Sequence, residues 1–254
     1  MYCDAYHRLC GSALAKISLY FRNTKGYIIS SMVAGMFITF GSMVALSIGG
    51  LMAPLMGSAA RIVAAIAFSS ALSLAVMAGC ELFTGNNLVL SAAAWEKKIS
   101  WRMACLLWLV NWLGNLVGTW MLIGLYKLSG ANVMPEAVSY FHQVASSKVA
   151  LGPVEMVIRG ILCNICVCLA IWCGVRMKSE SGKLIMTIWC ILIFMVCGFE
   201  HSIANMSIIG IALINNAGPE VTWVGYGINL FFVTIGNILG AIFFVTLPYQ
   251  KMRH

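Results

Sequence analysis

Cys197-Gly198-Phe199-Glu200-His201-Ser202-Ile203-Ala204-Asn205-Met206 sets two ionisable residues side by side inside an otherwise apolar run. Upstream, residues 184–199 carry no formal charge. Such a run suits a membrane-buried helix, where a charged side chain at mid-depth costs about 2.5–3.5 kcal/mol. Glu200 and His201 therefore either face a cavity or partner within the membrane, or mark a helix end at its surface. The rest of the chain decides between these.

Of the 254 residues, 61% are hydrophobic and 9% charged, against roughly 25% charged in a soluble domain. Uncharged stretches fall at 26–60, 62–80, 103–126, 160–175, 184–199 and 221–250. A span takes about 20 residues, with a range of roughly 17–25. Long apolar runs between short polar turns indicate helices, since barrel strands would alternate. The composition predicts an all-α integral membrane protein, and six spans are the simplest count.

The basic residues sort by side if the chain crosses six times. Arg8, Lys16, Arg22, Lys25, Lys97, Lys98, Arg102, Arg176, Lys178, Lys183, Lys251 and Arg253 share one side, and Arg61, Lys127, Lys148 and Arg159 fall on or toward the other. That bias predicts a multi-pass protein of the cell (inner) membrane with both termini cytoplasmic. The formal charge of +8 then needs no nucleic-acid partner. Cys163, Cys166, Cys168, Cys173, Cys190 and Cys197 lie within predicted spans, where cysteine packs as a small hydrophobe. Cys163-x-x-Cys166 lacks a second pair or nearby histidines, so neither metal nor cofactor is expected.

Taken in order, residues 1–25 read as an amphipathic helix on the cytoplasmic surface, 26–250 as the six-span domain and 251–254 as a cytoplasmic tail. Span 2 runs from near Arg61 into Gly79-Cys80-Glu81-Leu82-Phe83-Thr84-Gly85-Asn86-Asn87 and resumes only to Trp95, which predicts a broken helix. Leu128 to Val149 is the longest polar connection. Span 5 breaks at Phe199 to Asn205, resumes to about Leu213 and meets a turn at Asn215-Asn216-Ala217-Gly218-Pro219.

Two motifs recur. Gly79-x-Glu81 matches Gly198-x-Glu200 at an offset of 119, and Gly114-Asn115-x-x-Gly118 matches Gly236-Asn237-x-x-Gly240 at 122. The same order at nearly the same offset implies a duplicated three-span unit, and three being odd, the copies must be inverted. Inverted repeats with paired broken helices point to a midplane binding or permeation site.

At such a break, Glu81 and Glu200 are expected to accept hydrogen bonds from the amides of the resumed half-helices, whose N-termini favour an anion. Thr84 and His201 are expected to project from the breaks toward a shared centre. Lys148 and Arg159 on the external side and Lys16 internally are candidates for concentrating anions. The Gly-Asn-x-x-Gly segments allow close helix approach.

Glu81-Leu82-Phe83-Thr84-Gly85-Asn86 and Glu200-His201-Ser202-Ile203-Ala204-Asn205-Met206 resemble the formate/nitrite transporter family, and the two Gly-Asn-x-x-Gly segments agree with it. The resemblance covers nearly the whole chain. It implies a pentamer of aquaporin-like six-span protomers, each with its own pore. It implies hydrophobic constrictions at Phe68, Leu72, Leu82, Phe83, Val167 and Phe194, around a polar centre of Thr84, Asn164, His201 and Asn205. Lys148 matches the external vestibule lysine, with Lys16 as an internal attractor. Glu81, Glu200, Asn115 and Asn237 hold the loops.

The resemblance implies a passive channel for a small monovalent anion, with membrane lipid and copies of itself as the other partners, and not an enzyme. Hydrosulfide is the favoured ion, with a proton supplied directly or indirectly by His201; nitrite or formate is the alternative. An alternating-access anion/proton carrier is the rival within transport. A membrane enzyme using His201 and Glu200 lacks a second histidine, a metal set and a nucleophile elbow.

Overall fold

Local capping sets most helix starts. The computed structural model of the chain describes residues 2–130, 134–215 and 218–252. Helix α1 spans Tyr2–Arg22, and the Asn23 side chain then accepts from the Gly26 amide (2.9 Å) to start α2, Thr24–Met56. Gly57, at φ 55°, opens a 3-10 turn that leads into α3, Ala60–Leu74, which lies back along α2. A π-helical turn, Ala75–Gly79, ends that leg before α4, Phe83–Trp95.

Ser100 caps α5, Trp101–Leu128. Helices α6, Pro135–Val149, and α7, Pro153–Arg176, each begin on a proline at a position where its missing amide hydrogen costs nothing. Ser179 caps α8, Glu180–Cys197, and α9 spans Ser202–Ile214. Thr222 caps α10, Trp223–Leu239, which continues through a π-helical segment to α11, Leu247–Met252. No strand occurs among the described residues.

Five helical runs among the described residues are long and apolar enough to cross a membrane: Thr24–Gly79, Trp101–Leu128, Pro153–Arg176, Glu180–Cys197 and Trp223–Met252. The first is 56 residues long and folds back on itself at Gly57. By contrast α4 and α9 have 13 residues each. That is about 20 Å of helix against a hydrocarbon core of about 30 Å, so neither can span. Both are buried nearly throughout, from Phe83 to Ala94 and from Ser202 to Ala212. The protein is thus an all-α, multi-pass membrane protein that carries two half-length helices in its interior.

The two breaks are shorter than expected. Helix resumes at Phe83 and Ser202, leaving only Cys80–Leu82 and Gly198–His201 non-helical. Thr84, Asn86, Asn87 and Asn205, whose polarity suggested loop, sit in the first turns of α4 and α9 and bond across to other elements. Gly79, just before the first break, and Gly198, opening the second, lie in the left-handed region (φ 77° and 73°), which glycine adopts without a Cβ clash.

The expected polar connection from Leu128 to Val149 instead holds α6. Its signals were present: Pro135 at the start, Glu136 in the first turn and Lys148 in the last. Of the expected Asn215–Pro219 turn, Asn216 and Ala217 lie outside the described residues, as do Arg253 and His254 of the expected tail.

The Gly-Asn-x-x-Gly segments pack α5 on α2 and α10 on α7. A Cβ on Gly118 would strike the Met32 carbonyl oxygen, and one on Gly236 the Val157 carbonyl oxygen. Gly124 faces open space. Gly118→Ala is therefore expected to destabilise the protein by about 1–3 kcal/mol through overpacking. Gly124→Ala should be neutral or stabilising by up to about 1 kcal/mol, since alanine favours helix. Thermal unfolding in detergent should shift downward for the first variant only.

Candidate functional site

Each break is closed by the same set of side-chain bonds. At the first, the Lys16 ammonium of α1 donates to both Glu81 carboxylate oxygens (2.8 and 2.7 Å). The Asn86 amide nitrogen donates to Glu81 (2.7 Å) and to Asn111 of α5 (2.7 Å). Asn115 accepts from the Phe83 amide (3.0 Å) and donates to the carbonyls of Glu81 (3.1 Å) and Ser31 (2.7 Å). The Glu81 amide donates to the Ser30 carbonyl (3.3 Å).

At the second break, Lys148 of α6 donates to Glu200 (2.9 Å), and Asn205 donates to Glu200 (2.6 Å) and to Asn229 of α10 (2.8 Å). Asn237 accepts from the Ser202 amide (2.9 Å) and donates to the carbonyls of Glu200 (3.0 Å) and Gly160 (2.8 Å). The Glu200 amide donates to the Arg159 carbonyl (3.1 Å). Backbone groups freed by the breaks are thus satisfied by Asn115 and Asn237, as burial at membrane depth demands.

This differs from the expected division of labour. The glutamates accept from Lys16, Lys148, Asn86 and Asn205 side chains rather than from half-helix amides. Lys16 and Lys148 are committed to buried ion pairs; the Lys148 and Glu200 side chains are 13% and 4% exposed. Asn86, Asn111 and Asn229 were not picked out from sequence. The signal existed: asparagine follows each glutamate by five residues, and Asn229 follows Asn111 by 118.

Two cavities open at opposite ends of α3 and α8. The one on the α1 side, about 640 Å³, is lined by Lys16, Leu72, Glu81, Leu82 and, at the start of α8, Lys183. The one on the α6 side, about 680 Å³, is lined by Arg61 and Ala64 at the start of α3, and by Lys148, Phe194, Glu200 and His201. Between them, Ala64 and Leu72 are eight residues apart on α3, about 12 Å of helix rise.

That intervening layer is apolar except at its centre. Phe68 meets Phe194 edge-on with ring centroids 6.1 Å apart, and Phe194 stacks on His201 at 5.9 Å. Phe68, Phe83 and Val167 are buried, while Leu72 and Leu82 bound one cavity and Phe194 the other. At the centre, Thr84 Oγ1 lies 3.1 Å from His201 Nε2. The half-helix tips meet there, α4 contributing Thr84 and α9 its N-cap His201.

His201 Nδ1 accepts from the Ala204 amide (3.1 Å), which assigns the ring proton to Nε2, directed at Thr84. Asn164 and Asn205 are less central than expected. Asn164 ties elements together, donating to the Thr84 and Asn237 carbonyls (3.3 and 2.7 Å) and to Asn87 (3.2 Å). Asn205 belongs to the Glu200 network while also lining the α6-side cavity.

Two buried half-helices that meet tip to tip between opposed cavities define a membrane transport protomer. The family model described as formate/nitrite transporter matches residues 4–250. The nitrite transporter NirC of Escherichia coli (strain K12) is 34% identical over 249 residues, covering 98% of this chain and 91% of NirC. A solved structure described as an FNT family ion channel matches at TM-score 0.93 and 32% identity, covering 98% of each chain. A pentameric formate channel with formate bound matches at TM-score 0.81 and 26% identity, covering 89% of this chain and 96% of that one. The chain belongs to the formate/nitrite transporter family, a family of channels and transporters rather than enzymes.

Proposed function

We propose that this protein is a passive channel for small monovalent anions in the cell membrane, with nitrite or formate as its cargo. The two cavities that stop short of each other at the Thr84–His201 contact carry this reading, because they leave only a thin apolar layer for an ion to cross. Relatives named for nitrite and formate support these anions over hydrosulfide, the ion favoured on sequence grounds. The likeness to a pentameric channel supports a pentamer with one pore per protomer. The fold-back at Gly57 supports six spans, and the matched bond sets of the two breaks support an inverted repeat; the sorting of Lys and Arg to the side of the termini supports both termini cytoplasmic.

Dehydrating an anion across the layer is expensive; the idealised transfer of a carboxylate-sized ion from water to an apolar medium costs on the order of 20 kcal/mol. The half-helix N-termini and the Thr84 and His201 donors offset part of that. Passage as the neutral weak acid, the anion taking its proton from solvent in one cavity and releasing it into the other, lowers it further. His201 is not the proton source in this reading: a proton on Nδ1 would oppose the Ala204 amide hydrogen and uncap α9. It acts instead as a neutral donor from Nε2.

His201→Asn retains an N-cap and a side-chain donor, so the flux–pH profile should be unchanged, whatever the flux itself does on losing the ring stacked on Phe194. A profile flattened by this substitution would return the proton to His201. The function itself is tested in proteoliposomes by comparing nitrite, formate and hydrosulfide uptake. Nitrite or formate should cross fastest; faster hydrosulfide would reverse the order, and saturating, obligatorily coupled exchange would indicate a carrier.

A further inference from the structure

The corner that joins α4 to α5 is locally unfavourable in two ways, and no residue of it lines either cavity. Helix α4 closes on a motif in which the Lys97 amide donates to the Ala94 carbonyl (3.0 Å) and the Lys98 amide to the Ala93 carbonyl (3.0 Å). The residue just past such a helix end takes the left-handed region and is most often glycine. Here it is Lys97, at φ 56°, the one non-glycine residue with positive φ among the described residues. Ser100 then caps α5 by accepting from the Met103 amide (3.2 Å), and the first turn that follows holds Arg102 and no acid. A cation there opposes the helix dipole.

Lys97, Lys98 and Arg102 are exposed, and none is in an ion pair among the described residues. The sorting of basic residues to one side of a membrane accounts for cations at this level. It does not account for a lysine in a glycine position, nor for the side chains nearby. Trp95 and Trp101 meet edge-on with ring centroids 5.5 Å apart, and Trp101 meets Trp108 at 6.4 Å. Tryptophan gathers at the depth of lipid headgroups. Farther along α5, Leu106, Leu109 and Leu113 follow Arg102 at spacings of four, three and four, so the four share one face, and all are exposed. From Arg102 to Leu113 the helix rises about 16 Å, close to half the hydrocarbon thickness.

We infer that the α4–α5 corner and the leucine face of α5 form a binding site for one anionic phospholipid of the leaflet on the α1 side. Lys97, Lys98 and Arg102 take its phosphate, Trp101 lies at its glycerol region, and Leu106, Leu109 and Leu113 carry an acyl chain. The bound phosphate offsets both local costs: it gives the left-handed lysine a partner and neutralises Arg102 at the positive end of α5. A soluble anion would have no use for the leucine face. The site lies apart from the permeation path and does not rest on the channel reading.

The test is native mass spectrometry of the full-length protein released from detergent, with phosphatidylglycerol and phosphatidylcholine of the same acyl chains supplied together. Phosphatidylglycerol is expected to be retained in preference. Each cation near an anionic headgroup is worth about fivefold in affinity, so Lys97→Gln, Lys98→Gln and Arg102→Gln should each cut the preference about fivefold. Lys178→Gln, which removes an exposed lysine outside the corner, should leave the preference unchanged. Lys97→Gly should cut it as Lys97→Gln does, yet raise the unfolding midpoint in lipid-free detergent by about 2–4 °C, because glycine fits the left-handed position. Free glycerol 3-phosphate in large excess should not displace the lipid. Equal retention of the two lipids by wild type, or a loss in Lys178→Gln as large as at the corner, would overturn the inference. Displacement by glycerol 3-phosphate would also overturn it, by making the site one for a soluble phosphate.

Discussion

Lys148→Met is expected to destabilise the protein by about 3–5 kcal/mol, because it strands the Glu200 carboxylate in a buried site where only Asn205 still donates to it. Flux should fall at least tenfold, since Glu200 directly precedes His201 and its carbonyl and amide anchor the break. The double substitution Lys148→Met with Glu200→Gln should recover most of the lost stability, as the charge that needed a partner is gone. Thermal unfolding in detergent, paired with proteoliposome flux, measures both effects. A lysine serving only to attract anions would lower flux without moving the unfolding midpoint, and that result would return Lys148 to its expected role. Lys16→Met should act in the same direction on Glu81 but less strongly, because Lys16 is more exposed.

Asn237→Leu is expected to be nearly as costly. It removes the acceptor of the Ser202 amide and the donor to two carbonyls, Glu200 and Gly160. Each buried group left without a partner costs about 1–3 kcal/mol. The sum is an upper bound, since the break can relax toward the α6-side cavity. Asn115→Leu removes the corresponding bonds at the first break. The expected readout is a lowered unfolding midpoint in both variants, with flux lost in parallel. Asn237→Asp should retain the acceptor for Ser202 but not the donors, placing it between wild type and leucine. Wild-type stability in Asn237→Leu would mean that other groups hold the break.

Much of the membrane architecture was legible because hydrocarbon is an unforgiving solvent. Apolar length located the crossing helices, and polar residues within apolar runs located both breaks. The chain's own duplication paired Glu81 with Glu200 and Asn115 with Asn237 before any contact was known. What failed was the reading of polar residues near the breaks as loop. Thr84, Asn86 and Asn205 are helical because their side chains reach partners on other elements, and those partners lie up to 117 residues away, as for Thr84 and His201. Helix α6 was passed over as a connection because its polarity masked start and stop signals that were in plain view.

The Cys197–Met206 stretch shows where the division falls. Sequence alone determined that Glu200 and His201 interrupt a membrane-buried helix and that a second interruption mirrors it, because burial cost and repetition are properties of the chain. Only the tertiary structure decided that Glu200 belongs to Lys148 and that His201 caps α9 and faces Thr84. Charge pairing depends on distances of a few ångströms between helices far apart in sequence, and no periodicity or composition encodes those.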